Sequence, residues 1–222
     1  MKYAAAAAAF LAVLALSPPV DALADRSFAW HMVQHLVLLF FVPLGILLSR
    51  PFDVFRALAG DRAAAAAVRA TRLFHVVATP PVAFCAFTAT LWATHFSGLY
   101  DAALGNGAIH AAEHAIYLSA GLLFWLPVLT VPPLRPSGHP LRLFYLMVSL
   151  PQGAFVAMVV ASARAPLYAH YAGLVGRAQA LADQQAAAAV MWVGGGLIVF
   201  AALIATLASW ARQESKASQA RA

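Results

Sequence analysis

Charge is almost absent from six long stretches of this chain, and that absence limits its folding more than any other feature. The stretches run at about 4–20, 28–49, 73–95, 108–131, 143–163 and 186–210, and Glu113 is the one formally charged side chain inside them. A helix needs about 20 mostly apolar residues to cross a bilayer. The runs are too long, and too rich in Ala and Leu, to read as strands. Breakers separate them: Ser17-Pro18-Pro19, Ser49-Arg50-Pro51, Ser97-Gly98, Gly105-Asn106-Gly107, Pro132-Pro133 and Pro136-Ser137-Gly138. Composition agrees. The chain is 63% hydrophobic and 10% charged, with mean hydropathy +0.79, where a soluble domain is about 45–50% apolar and about 25% charged. Disorder, which needs low hydrophobicity and high charge, is excluded. A soluble enzyme is poorly supported. The expected fold is all-α: one integral membrane domain over 1–222, a bundle of six transmembrane helices. Cys85 stands alone, which excludes an internal disulfide and any CxxC motif.

The basic residues predict an orientation. With the N-terminus inside, Lys2, Arg50, Arg56, Arg62, Arg69, Arg72, Arg135, Arg142, Arg212, Lys216 and Arg221 all fall on the inner side, and only Arg26, Arg164 and Arg177 fall outside. Positive residues mark cytoplasmic loops, so both termini are expected in the cytoplasm. The net charge of +6 then reads as topology and contact with anionic lipid. A nucleic-acid site would cluster basic residues with interleaved aromatics, and this chain does not. A second reading concerns the first run. Lys2, the apolar segment and Ala22-Leu23-Ala24 also fit a secretory signal with a small-residue cleavage site. Its removal would leave five spans and the same orientation for the rest.

Histidines mark the outer face. Of eight His, six fall at or near it: His31, His35, His95, His110, His114 and His170. His75 and His139 lie on the inner side, and these two and His170 read as hydrogen-bonding interfacial residues. His31 and His35 are spaced i, i+4 and share a helix face, as do His110 and His114. Both helices start at the outer surface, so the first His of each pair lies about 4–5 Å in and the second about 10 Å. An i, i+4 pair presents two nitrogens to one ion, and His95 ends the third span at the same surface. Nitrogen-rich sites suit copper or zinc, and thioethers favour Cu(I). Met32 adjoins the first pair. Met191 lies in the outer half of the last span, and Met158, read as core packing, in that of the fifth. Gln34, Glu113, Asp101 and Asp183 are candidates to orient imidazoles, although capping serves Asp101 and Asp183 equally well. Glu113 alone would read as a solvated interfacial carboxylate, and its histidine neighbours argue against that.

Two other chemistries fit the same residues. His110-Ala-Ala-Glu113-His114 matches the H-x-x-E-H pattern of a zinc protease family, though five residues are a weak match. His31-Met-Val-Gln34-His35 repeats the spacing with Gln, which looks more like a shared binding site than a catalytic helix. A haem held between His35 and His114 is the second alternative, with Trp30, Trp92, Trp125 and Trp192 as porphyrin neighbours or as belt and packing residues.

A resemblance covers nearly the whole chain, about residues 15–210. Ser17-Pro-Pro-Val-Asp21-Ala-Leu-Ala-Asp25, Trp30-His31-Met32-Val-Gln34-His35, Trp92-Ala-Thr-His95, Leu99-Tyr100-Asp101, His110-Ala-Ala-Glu113-His114, Gly121-Leu-Leu-Phe-Trp125-Leu-Pro127, Asp183-Gln184-Gln185 and Met191-Trp192-Val-Gly-Gly195 resemble the CtaG family of caa(3)-type cytochrome c oxidase assembly factors. One departure is Ser97, where that family tends to have Pro. With Cys85 alone, the chain is not of the single-span kind that shares the CtaG name and uses a Cys pair. The resemblance implies a multi-pass bacterial inner-membrane protein, not itself an enzyme, that holds or delivers copper during oxidase assembly. Its partners would be oxidase subunits, other assembly factors and the bilayer. It also makes the Ser17–Asp25 stretch a family loop, which counts against cleavage. The expected copper ligands are His31, His35, His110 and His114, with His95 as a fifth and with Gln34, Glu113, Asp101, Asp183, Met32 and Met191 in support. A haem-binding membrane oxidoreductase and, further off, a membrane zinc metalloprotease are the alternatives.

Overall fold

A computed structural model describes residues 2–70, 76–129, 131–134 and 137–220. His75, Arg72, Arg135, Arg221 and the start of the third expected span at 73 lie outside the described residues. No strand occurs among those described. Helix α1 (Lys2–Ala15) stops before Ser17, and Pro18 opens α2 (Pro18–Ala24) at a 55° bend. Proline suits the first helical turn, where its missing N–H is not needed. Helix α3 (Phe28–Leu48) is capped by Ser27, whose Oγ accepts from the Trp30 N–H. Helix α4 (Pro51–Ala70) carries exposed Arg56, Arg62 and Arg69 and is kinked at Gly60, where φ is 84°, a conformation glycine adopts without steric cost.

Prolines also open α5 (Pro80–Phe96), which turns through 66° at Ser97-Gly98 into α6 (Leu99–Gly105). Asn106 Oδ1 accepts from the backbone N–H groups of Ala108 and Ile109 and so caps α7 (Gly107–Leu129). Helix α8 (His139–Ser162) and the short α9 (Ala169–Val175) follow, and Gly176 with φ 82° leads into α10 (Arg177–Gln219).

Four helices, α3, α7, α8 and α10, are long and apolar enough to cross a membrane, and the bent pairs α1–α2 and α5–α6 raise the number to as many as six. The chain is a polytopic helical membrane protein. At 43 residues, α10 spans about 65 Å, roughly twice the hydrocarbon core. Its C-terminal turns, with Arg212, Glu214 and Lys216 exposed, project from one end. Its first turns pack on α3, α8 and α9 at the other.

Close backbone contact between α3 and α7 sets the site. A Cβ at Gly121 would collide with the Leu39 carbonyl and the Pro43 side chain, so only glycine permits this approach, as small residues do in membrane bundles generally. Both helices contain or meet an irregular turn here. The π-helical turn Val37–Phe41 in α3 presents the Phe40 carbonyl, to which the Trp125 indole donates at 2.9 Å. A matching turn, Val190–Gly194 in α10, brings Gly194 against the Leu36 side chain. Such turns inside α-helices often mark functional regions. The core below is aromatic: Phe40, Phe87, Phe124 and Trp125 pack edge-to-face or tilted, and Tyr145 donates to the Phe124 carbonyl at 3.1 Å.

Candidate metal centre

Helices α3 and α7 run side by side in one direction, so residues pair at successive levels. His31 meets His110 with ring centroids 5.0 Å apart, and His35 meets His114 at 5.5 Å. Within each helix the i, i+4 spacing brings the rings together, edge-to-face at 4.3 Å for His31–His35 and tilted at 4.1 Å for His110–His114. One nitrogen from each of the four lies within 4.8 Å of every other. Around a tetrahedral ion with bonds of about 2 Å, ligand nitrogens sit roughly 3.3 Å apart, so small side-chain adjustments suffice to close the four on a common ion.

The surroundings leave lone pairs uncommitted. His110 Nε2, His114 Nε2, His35 Nδ1 and both carboxylate oxygens of Glu113 are buried with no hydrogen-bond partner. A buried polar group without a partner costs about 1–3 kcal/mol, and several converge here. Glu113 is fully buried rather than solvated, and its Oε2 lies 3.9 Å from His35 Nε2. His31 and His35 face each other with Nε2 atoms 3.0 Å apart. A cation among these groups would engage the imidazole nitrogens that face one another and give the Glu113 carboxylate a counter-charge.

Tyrosines hold the rings. The Tyr171 hydroxyl donates to the Ala24 carbonyl at 2.9 Å and lies 3.1 Å from His31 Nδ1. Burial pushes that hydroxyl up, so it stays protonated. Its one proton is committed to Ala24, so it accepts from His31 Nδ1–H. The His31 tautomer is thereby set, and Nε2 is left with its lone pair toward the cluster. Tyr100 lies over His31 at 5.0 Å, with its hydroxyl 3.4 Å from that of Tyr171. Tyr117 stacks on His35 at 4.0 Å and shares a hydrogen bond with Thr94. Tyr117 lies one helical turn from Glu113 on the same face, a signal the spacing offers. Tyr100 and Tyr171 come from the short helices α6 and α9 and carry no such signal.

Other expected site residues are placed elsewhere. His95 is buried but stands apart from the four: Nδ1 is 2.8 Å from the Leu91 carbonyl and Nε2 is 3.4 Å from Met32 Sδ. Gln34 turns away from the imidazoles and donates to the Ala15 carbonyl and to Asp21, pinning the α1–α2 bend onto α3. Asp183 binds the Ser27 hydroxyl at 2.8 Å and the Phe28 N–H at 2.5 Å, so it caps α3 and touches no imidazole. Asp101 is exposed. Met191 is buried, whereas Met158 is half exposed and does not pack in the core. Trp30, Trp92 and Trp192 are also partly exposed, and Trp125 is bound to Phe40. His170 contacts the Asp25 carbonyl, and His139 stacks on Trp210.

Fold and site together define a class: a helical membrane protein with a four-imidazole cluster, buried at His31, His35 and His114 and partly exposed at His110, built by two parallel helices and backed by a carboxylate. The comparisons with known proteins give that class a family. The model of the cytochrome c oxidase caa3 assembly factor family (Caa3_CtaG) matches residues 3–213, and the chain belongs to that family. It is similar to uncharacterised proteins of Mycobacterium bovis and Mycobacterium tuberculosis, each 27% identical over 210 residues, and to one of Mycobacterium leprae, 25% identical over 217 residues. The alignments cover 89–92% of this chain and 32–33% of those proteins, so the chain spans about a third of the length of the curated relatives it matches. No solved structure matches.

Proposed function

We propose that the protein holds copper for delivery during cytochrome c oxidase assembly, bound by His31, His35, His110 and His114 with Glu113 as counter-charge. The observation that carries this reading is the convergence of four imidazole nitrogens within 4.8 Å of one another. Family membership supplies the assembly context. Imidazole suits both copper and zinc, and copper has the higher intrinsic affinity. One buried carboxylate balances one positive charge, and in a low-dielectric interior that favours a monovalent ion over a divalent one. Copper is here a cargo rather than the cofactor of a reaction, and the protein needs no catalysis of its own.

The alternatives have less support. A haem needs an open slot as wide as its macrocycle between two axial nitrogens. The cavity beside His35 holds about 40 Å³, and Trp30, Trp92 and Trp192 do not line it. A peptidase needs room for a peptide beside its general base, and Glu113 is fully buried. We place the cluster at the outer face, because most basic residues fall beyond the opposite ends of the spans.

Elemental analysis of protein purified in detergent tests the copper reading. Stoichiometric copper is expected in the parent, with background levels in a His31/His35/His110/His114 quadruple alanine variant. Equal copper in both would overturn it. A Soret band lost in His35→Ala would establish haem instead.

A further inference from the structure

We propose that Met32 and His95 form a second metal site, a soft position for monovalent copper beside the four-imidazole cluster; it rests on the copper-handling reading above. The carrying observation is a contact between two acceptors. His95 Nε2 lies 3.4 Å from Met32 Sδ. The other ring nitrogen, Nδ1, is 2.8 Å from the Leu91 carbonyl oxygen, which can only accept. Nδ1 therefore carries the proton of the neutral ring, and Nε2 presents a lone pair. A thioether sulfur has no proton to offer. Two lone pairs thus face each other in the interior, where His95 is 4% and Met32 2% exposed. A cation between them satisfies both, and imidazole with thioether is a donor set that selects Cu(I) over zinc.

The position is built rather than incidental. Thr94 Oγ1 lies 3.2 Å from His95 Nδ1, and the Tyr168 hydroxyl donates to the His95 backbone carbonyl at 3.1 Å, so one contact is made at the ring and one at the backbone that carries it. Met32 directly follows His31 on α3. The pair opens on the cavity of about 40 Å³, which His35, Tyr117 and Met191 also line. His35 therefore borders both the cluster and the cavity, and Met191 adds a second thioether to the wall. An ion leaving the cluster past His35 enters a soft pocket without crossing lipid. This arrangement gives the protein a holding position and a transfer position for one cargo.

The test is anaerobic Cu(I) titration of the purified full-length protein against a chromophoric chelator, with X-ray absorption on the loaded samples. The parent is expected to bind two equivalents and to show a sulfur neighbour. Met32→Leu conserves volume, and such swaps are well tolerated. It should lose the sulfur neighbour and weaken the second equivalent by more than about 100-fold, beyond the 10–100-fold typical of losing a supporting residue. His95→Gln should lose the same equivalent and provides the answer if Met32→Leu does not fold. The quadruple His variant should keep the sulfur-bound ion and lose the other. Absence of sulfur in the parent, or full binding by both Met32→Leu and His95→Gln, overturns the proposal. Loss confined to the quadruple variant would retain the cluster reading alone. Loss confined to Met32→Leu and His95→Gln would retain this site alone.

Discussion

Glu113 sits in the bundle with neither carboxylate oxygen hydrogen-bonded, and a buried carboxylate in that setting calls for a counter-charge. Replacing it with Gln keeps the shape and removes the need. Glu113→Gln is expected to leave the melting temperature of the metal-free protein unchanged or raised, while copper affinity falls 10–100-fold; chelator competition and thermal melts read the two effects. Tyr171→Phe removes the acceptor for His31 Nδ1–H. It should cost about 1 kcal/mol of stability and about tenfold in copper affinity, measured in the same titration. At this scale the i, i+4 pairs were legible because both members ride one helix. The tyrosines that orient them were not, because Tyr100 and Tyr171 arrive from other elements and no local spacing connects them to His31.

At the scale of the element, two helices must meet closely, and Gly121 is what allows it. In Gly121→Ala the new methyl group would meet the Leu39 carbonyl and Pro43, forcing α3 and α7 apart. Overpacking of this kind costs about 1–3 kcal/mol, and because the same displacement separates His35 from His114, copper binding should fall together with the melting temperature. Asp183→Ala should behave differently. It removes a cap from α3 at about 0.5–2 kcal/mol, lowering the melting temperature while leaving a measurable copper equivalent. Asp183 shows why a carboxylate near histidines is hard to interpret from sequence: capping and imidazole orientation both need an acceptor at the same depth, and only the tertiary contact distinguishes them. Gln34 makes the same point, since its place inside His31-Met-Val-Gln34-His35 puts it beside the ligands while its side chain reaches Ala15 and Asp21.

For the whole molecule the prediction concerns direction. In the orientation proposed from the positive-inside pattern, α4 and the C-terminal turns of α10 face the cytoplasm and Arg164 faces the outer side. In a Cys85→Ser background, a membrane-impermeant maleimide is expected to label Arg164→Cys in spheroplasts and to label Arg56→Cys only after permeabilisation. The reverse pattern would put the histidines on the cytoplasmic side and require a different route for the metal. The bends at α1–α2 and α5–α6 belong to this scale too. Proline and Ser-Gly breakers predicted interruptions there, and the 55° and 66° turns fold the short helices over the end of the bundle that carries the imidazoles.

The sequence by itself determined the membrane class, the helical content, the family resemblance and two histidine pairs at matching depth. The resemblance rests on its motifs, and the other properties depend on hydropathy and on the 3.6-residue period, which are local. Only the tertiary structure decided that α3 and α7 are neighbours in parallel register, that His95 turns toward Met32 instead of joining the four, and that Asp183 and Gln34 hold helix ends. These outcomes depend on which faces pack, and packing is set by contacts distant in sequence, such as Gly121 against Leu39 and Tyr171 against Ala24, which no periodicity along one helix encodes.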